Sequence, residues 1–177
     1  GFTTPAIPQW VPRHLWEGLH FDDIIASAKV WIPLIRERER PDLLIVLMHS
    51  GLENDNPDYL ENAGRTLGEG VPGIDLMLIG HDHRKELEWL HPHGTADSVL
   101  LINPANHLDR VSDIQITVKK RGGVVVSKEL RPSFISLDDV EPDPAFLARF
   151  APEKKAVEAY LGSEVGTLEA PVVGEDA

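Results

Sequence analysis

Two short apolar runs, residues 42–48 and 74–79, constrain this 177-residue chain more than any other feature. The first is bounded by Pro41 and by Ser50-Gly51, the second by Pro72-Gly73 and Gly80. Each is too short for a buried helix and nearly free of polar residues, the pattern of a strand covered on both faces of a parallel sheet. Between them, residues 57–67 are predicted to form a helix, with Gly68, Gly70 and Pro72-Gly73 supplying its exit loop. Strand, helix and strand together span the roughly 30 residues a parallel crossover needs, so the two strands are expected to lie side by side.

The flanking segments take their reading from this unit. Residues 1–20 are rich in Pro and Trp and show no regular period, which predicts an irregular loop leaving a short strand near Phe2. From Asp22 the residues Ile24, Ala28, Trp31 and Ile35 fall on one helical face, with Asp22 or Asp23 as cap, a kink expected at Pro33 and an end before Pro41. The charged tail from Arg36 to Arg40 is read as the helix's solvated last turns. After His83 the pattern turns to short strands at 86–91, 98–102, 111–118 and 124–130, expected to pair antiparallel. A last helix runs from Pro144 with Asp143 as cap, with a break expected at Pro152. The fold class is therefore α/β, parallel strands followed by antiparallel strands and a C-terminal helix. The domains are read as 1–135 and a linker helix with tail at 136–177.

Charge and composition narrow the chemistry. A formal charge of −12, from 17 basic and 29 acidic residues, opposes binding to a nucleic-acid polymer or an anionic membrane surface. No apolar run approaches the roughly 20 residues of a membrane span, and the start at Gly1 is neither a signal peptide nor an ordinary translation start, so the natural N-terminus is expected upstream. With no cysteine, histidine and carboxylate are the strong metal ligands available.

Both buried strands end alike, the first in His49-Ser50-Gly51 and the second in Gly80-His81-Asp82-His83. Loops at the carboxyl ends of neighbouring parallel strands converge, which brings three imidazoles together. A single histidine after a strand is ordinarily a loop residue; the combination on adjacent strands is what points to metal. Asp82 is a candidate to orient a histidine from behind the ligand set. The other nearby carboxylates, Glu53, Asp55 and Asp75, are read as structural or solvated, and His91 and His93 as turn residues.

These motifs resemble the His-x-Gly and Gly-His-x-His signatures of the calcineurin-like metallophosphoesterases. Together with the first five residues, the Pro/Trp-rich loop, residues 41–52 and Pro72-Gly73-Ile74-Asp75, they resemble the 5'-nucleotidase and 2',3'-cyclic-nucleotide 2'-phosphodiesterase branch over about residues 1–135. The resemblance implies the second half of an α/β/β/α sandwich. It makes His49 and His81 ligands of one metal and His83 a ligand of the other. The family's Asp-x-His, Gly-Asp and Gly-Asn-His motifs would lie upstream, so no catalytic residue is assigned within this chain. The tail near residues 143–162 and Val165-Gly166-Thr167 resemble the passage toward that family's C-terminal nucleotide-binding domain. Where relatives have a glycine-rich turn this chain has Asn103-Pro104-Ala105-Asn106-His107, and His107 is retained as a site-edge candidate.

The implied chemistry is hydrolysis of phosphate mono- or cyclic diesters of nucleotides by two divalent ions, Zn, Mn or Fe, which lower the pKa of a water and neutralise phosphoryl charge. The implied location is periplasmic or extracellular. Removing half of a sandwich predicts an uncovered apolar surface and association through it. The alternative is a non-catalytic α/β binding or partner module whose histidines are incidental or hold a structural metal.

Overall fold

In a computed structural model that describes residues 1–56 and 58–166, successive side chains of the central strands point to opposite layers. On β3 (Leu76–Gly80), Met77 and Ile79 enter a core built with helices, while Leu76 enters a second core built with a hairpin. On β5 (Val99–Pro104), Val99 and Leu101 join the helical core and Leu100 and Ile102 the hairpin core. Period-two alternation with apolar residues at every position requires cover on both faces. Met77, Leu100, Leu101 and Ile102 are fully buried, each worth about 1.5–3 kcal/mol relative to exposure.

The sheet has the order β1-β2-β3-β5-β4. Here β1 is Phe2–Thr3, β2 is Ile45–His49 and β4 is Lys85–Leu90. Pairing is parallel from β1 through β5, and β4 closes the edge antiparallel to β5. The late strands pair antiparallel with one another, β4 with β5 and β6 with β7; β5 also inserts beside β3 in parallel, because its continuous apolar run needs an interior position. The hairpin of β6 (Arg110–Arg121) and β7 (Val124–Ser136) forms its own two-stranded sheet, with strands longer than the sequence pattern marks. Its Ile114, Ile116, Leu130 and Phe134 pack on Leu76, Leu100 and Ile102.

The helices lie on the opposite face. The N-terminal loop contains a single turn α1 (Ile7–Trp10), followed by a tight 3-10 turn at Arg13–Leu15. Asp23 caps α2 (Ile24–Arg38) by accepting from the Ala26 N–H at 2.7 Å. The buried face of α2 is Ile24, Ala28 and Ile32, while Trp31 is 56% exposed, so Ile32 takes the place expected of Trp31. A four-residue step keeps the smaller residue under the sheet. The helix predicted at 57–67 is instead α3 (Gly64–Gly70); its predicted start, Pro57, lies outside the described residues. Asn54 Oδ1 accepts from the Glu61 and Asn62 N–H groups, and Asn56 Oδ1 from that of Asp58, so asparagine side chains satisfy backbone donors a helix would otherwise use.

A second compact unit begins at Asp139 and holds α4 (Pro144–Leu161), capped by Asp143 through the Ala145 and Phe146 N–H groups. The break expected at Pro152 is not there: α4 runs through it on strong helix formers such as Ala148, Ala151, Lys154 and Ala156. Thr167 of the tail motif lies outside the described residues. Among the described residues no helix is long and apolar enough to cross a membrane.

The expectation that 42–48 is covered on both faces fails for one face of the strand. Val46 and Met48 are buried, whereas Ile45 is 43% and Leu47 58% exposed. The hairpin covers β3 and β5 but stops short of β2, leaving an apolar groove of about 760 Å³ lined by Phe2, Leu47, Leu78, Ile102 and Ile114.

Asp75 ties the layers together. Its carboxylate accepts from the Leu44 N–H at 2.8 Å, from Lys128 of β7 at 2.6 Å, and from Arg36 of α2. Partial burial alone would raise its pKa, but Lys128, the Leu44 N–H and Arg36 together hold it below the ordinary aspartate value. Stability from this group is therefore fully present above about pH 4, and is lost as pH falls through the lowered value. Asp75→Asn should cost about 1–3 kcal/mol at pH 7, and its stability should converge with that of the parent as pH falls through the lowered value. Urea unfolding at several pH values measures both.

Candidate functional site

His49 is the last residue of β2 and pairs in register with Gly80, the last residue of β3. The strand ends therefore finish level, and His81 begins the next turn beside His49. The two rings meet edge to face, with centroids 5.1 Å apart and planes at 65°. Reaching this position strains the backbone: His81 has φ 110° and His83 φ 59°. Such positive φ at non-glycine residues costs of order 1–3 kcal/mol each and is retained where surrounding structure dictates it.

Asp82, between the two, supplies much of that dictation. One carboxylate oxygen accepts from the Leu52 N–H at 2.9 Å, and the other from Asn103 Nδ2 at 2.7 Å. It thus fastens the loop after β2 and the end of β5 to the loop after β3; its partners are these groups and not a histidine ring. Asn103 is fully buried and its Oδ1 accepts from the Ala105 N–H. Gly51 lies so close that an added methyl would overlap the Asp82 carboxylate, which explains the glycine after His49-Ser50.

A second set of bonds fixes the segment before α3. Ser50 Oγ donates to the Glu61 carbonyl and accepts from the Ala63 N–H, both at 2.9 Å, and the Gly51 N–H donates to Asn62 Oδ1 at 2.6 Å. Glu61 reaches His81, with Oε1 2.9 Å from Nε2. Trp10 stacks on the other side of His81, its ring centroid 5.1 Å away and its plane within 25°, and donates from Nε1 to the Tyr59 hydroxyl at 3.3 Å. Arg65 at the start of α3 bridges Glu53, Glu69 and Glu88, and the bonds to Glu88 and Glu53 raise its pKa further above its already high value. The loop after β2, α3 and β4 are thereby cross-linked.

Of the residues read from sequence, the structure brings His49 and His81 together. His83 is exposed and makes no hydrogen bond or ring contact with them, and His107 is likewise exposed, with φ 59°, in the turn after β5. His91 and His93 lie in the connection between β4 and β5. Sequence reasoning missed Trp10, Glu61 and Asn103. Glu61 was hidden in a segment read as helix, and only its position between the two histidine motifs offered a signal.

The two rings are the donors the structure brings together. Two neutral imidazoles at this separation can converge on one cation, but among the described residues no group of three or more His, Asp or Glu is placed to hold one. Asp82 and Glu61, the nearest carboxylates, are already engaged. The packing of Gly51 on Asp82 gives a double-mutant test. Gly51→Ala and Asp82→Ala should each cost about 1–3 kcal/mol. The pair should cost less than their sum by about 1 kcal/mol or more, because removing the carboxylate makes room for the methyl. Thermal or denaturant unfolding of the four proteins decides it.

No protein-family model matches the chain. It is 36% identical over 84 residues to a 2',3'-cyclic-nucleotide 2'-phosphodiesterase/3'-nucleotidase of Yersinia enterocolitica, an alignment covering 47% of this chain and 13% of that relative. The matched stretch thus spans about an eighth of that protein's length. In three dimensions it superposes on the calcineurin-like phosphoesterase YfkN of Bacillus subtilis with a TM-score of 0.70 at 21% identity, covering 90% of this chain and 51% of that one. A putative 5'-nucleotidase of Staphylococcus aureus gives a TM-score of 0.66 at 24% identity, over 94% of this chain and 32% of the other. This chain therefore shares the fold of part of a calcineurin-like phosphoesterase and resembles in sequence, over 47% of its length, a 2',3'-cyclic-nucleotide 2'-phosphodiesterase/3'-nucleotidase.

Proposed function

We propose that these residues form part of a nucleotide phosphoesterase that hydrolyses phosphate mono- or cyclic diesters with two divalent ions, Zn, Mn or Fe. The observation that carries this reading is the pairing of His49 with His81 at the level ends of two parallel strands. His49 and His81 would hold one ion and His83 the other. When bound, the ions would neutralise charge on the phosphoryl group and activate a water. The chain's own residues hold the edge of that site: Asp82 joins its loops, and Glu61 and Trp10 steady His81.

The reading also assigns the missing donors to Asp-x-His, Gly-Asp and Gly-Asn-His motifs on a companion sheet, seated on the open apolar groove beside β2. It keeps residues 1–135 as part of the catalytic domain and 136–177 as the way out of it, in an exported protein. The alternative is a non-catalytic α/β binding or partner module whose histidines are incidental or hold a structural metal.

Activity separates the two. Hydrolysis of 2',3'-cyclic AMP with added Mn²⁺ should be nearly absent for this chain alone and appear in a longer chain bearing the three motifs. In that longer chain His49→Ala or His81→Ala should lower turnover at least about 100-fold. Equal metal-dependent turnover by the short chain, or full activity after both substitutions, would sink the reading. The uncovered groove makes a further prediction: the chain alone should self-associate in light scattering, and Leu47→Lys should shift it toward monomer. Monodisperse monomers of the parent would count against the companion sheet.

A further inference from the structure

We propose that Glu61 is a positioning residue for His81: it accepts the Nε2 proton and so leaves Nδ1 as the atom that faces a metal. The proposal rests on the metal-site reading above and adds to it which nitrogen is used and what selects it. Four observations lead there.

First, Nε2 of His81 lies 2.9 Å from Glu61 Oε1, and an ionised carboxylate can only accept. The neutral ring consistent with that bond carries its proton on Nε2 and a lone pair on Nδ1. Second, Glu61 is itself held in place. Its carbonyl accepts from Ser50 Oγ at 2.9 Å and its N–H donates to Asn54 Oδ1 at 2.8 Å, so its backbone is pinned to the His49-Ser50-Gly51 turn from one side and to its own loop from the other. Third, the plane of the ring is held by a stack. Trp10 lies over its face at 5.1 Å, and Trp10 Nε1 bonds to Tyr59, two residues before Glu61. The same loop therefore holds the ring at its edge and, through Trp10, at its face. Fourth, His81 makes no other hydrogen bond among the described residues, and its remaining neighbour is the His49 ring.

A carboxylate behind a ligating imidazole fixes the tautomer and ring direction and strengthens the ligand, and removing such a partner commonly costs 10- to 100-fold in metal affinity. The alternative use of Glu61, as a direct ligand, would require breaking its bond to Nε2.

The test is nitrogen-resolved NMR of the histidine rings of this chain, first without metal at about pH 8 and then with Mn²⁺, whose paramagnetism broadens nearby signals even at weak binding. His81 should show the Nε2–H tautomer. Mn²⁺ should broaden the His49 and His81 signals, with Nδ1 of His81 affected more than Nε2. In Glu61→Ala the concentration for half-maximal broadening should rise about 10- to 100-fold, and Glu61→Gln should largely restore it, since an amide oxygen also accepts from Nε2–H. A purely structural role for Glu61 predicts instead equal losses in both variants without a tautomer change. An Nδ1–H tautomer in the parent, stronger broadening at Nε2, or unchanged Mn²⁺ binding in a folded Glu61→Ala would overturn the proposal. If Mn²⁺ broadens neither ring in the parent, the metal-site reading fails instead, and the tautomer still decides whether Glu61 directs His81.

Discussion

The carboxylate of Asp82 is the joint on which the His49–His81 edge depends. Parallel strands align their ends through backbone pairing, here His49 opposite Gly80, but pairing ends at the last residue and leaves the following loops free. Asp82 extends the alignment by accepting from the Leu52 N–H on one side and from the buried Asn103 amide on the other. Each partner would be an unsatisfied buried donor without it, so the arrangement holds because the alternatives are costly. The positive φ values at His81 and His83 follow: a turn that must deliver Asp82 inward cannot also keep its neighbours in comfortable backbone regions. Gly51 belongs to the same constraint, since only a residue without a side chain leaves room for the carboxylate.

A second constraint comes from the unequal cover of the sheet. The helical face is closed along β2, β3 and β5, while the hairpin covers only β3 and β5. Leu47 is thus an apolar residue of a central-type strand that lines an open groove, and Ile45 on the same strand is also left exposed. Water contact on such a surface is unfavourable at about 25 cal/mol per Å², and the groove runs beside His49 at its upper end. Whatever seats there would complete the apolar layer and sit next to the imidazoles at once, which links folding of the second face to assembly of the site.

Much of the fold was legible because local pattern and burial agree. The runs at 42–48 and 74–79 became β2 and β3 in parallel register, and Asp23 and Asp143 cap their helices as read. The failures arise where side-chain hydrogen bonds or tertiary cover override pattern. Residues 54–62 carry Asn54, Asn56 and Asn62, which bond to backbone donors and hold the chain out of a helix. Strand 45–49 looks buried on both faces because its sequence is, although only one face meets a partner. In the site, His49 and His81 were visible as motif residues, whereas Glu61 was not: its role depends on a loop whose path is set by those asparagines. His83 shares its motif with His81, yet the turn at Asp82 leaves it exposed and apart.

The state of the carboxylates decides what the His49–His81 pair can do. The chain carries a formal charge of −12, so negative groups are plentiful, but near the pair they are committed: Asp82 to Leu52 and Asn103, Glu53 to Arg65, Glu61 to His81. Two dications held close together need an anionic ligand between them to offset their repulsion. A pair of neutral imidazoles offers no such charge. For a metal held as proposed, affinity at this edge would depend on how well each ring is aimed. Trp10, Glu61 and the Asp82 joint fix that direction, through a stacked ring, a hydrogen bond to Nε2 and fastened loops. Freeing Asp82 or Glu61 to bind metal directly would add charge but release the loop or the ring that sets direction, so the same residues cannot serve both purposes.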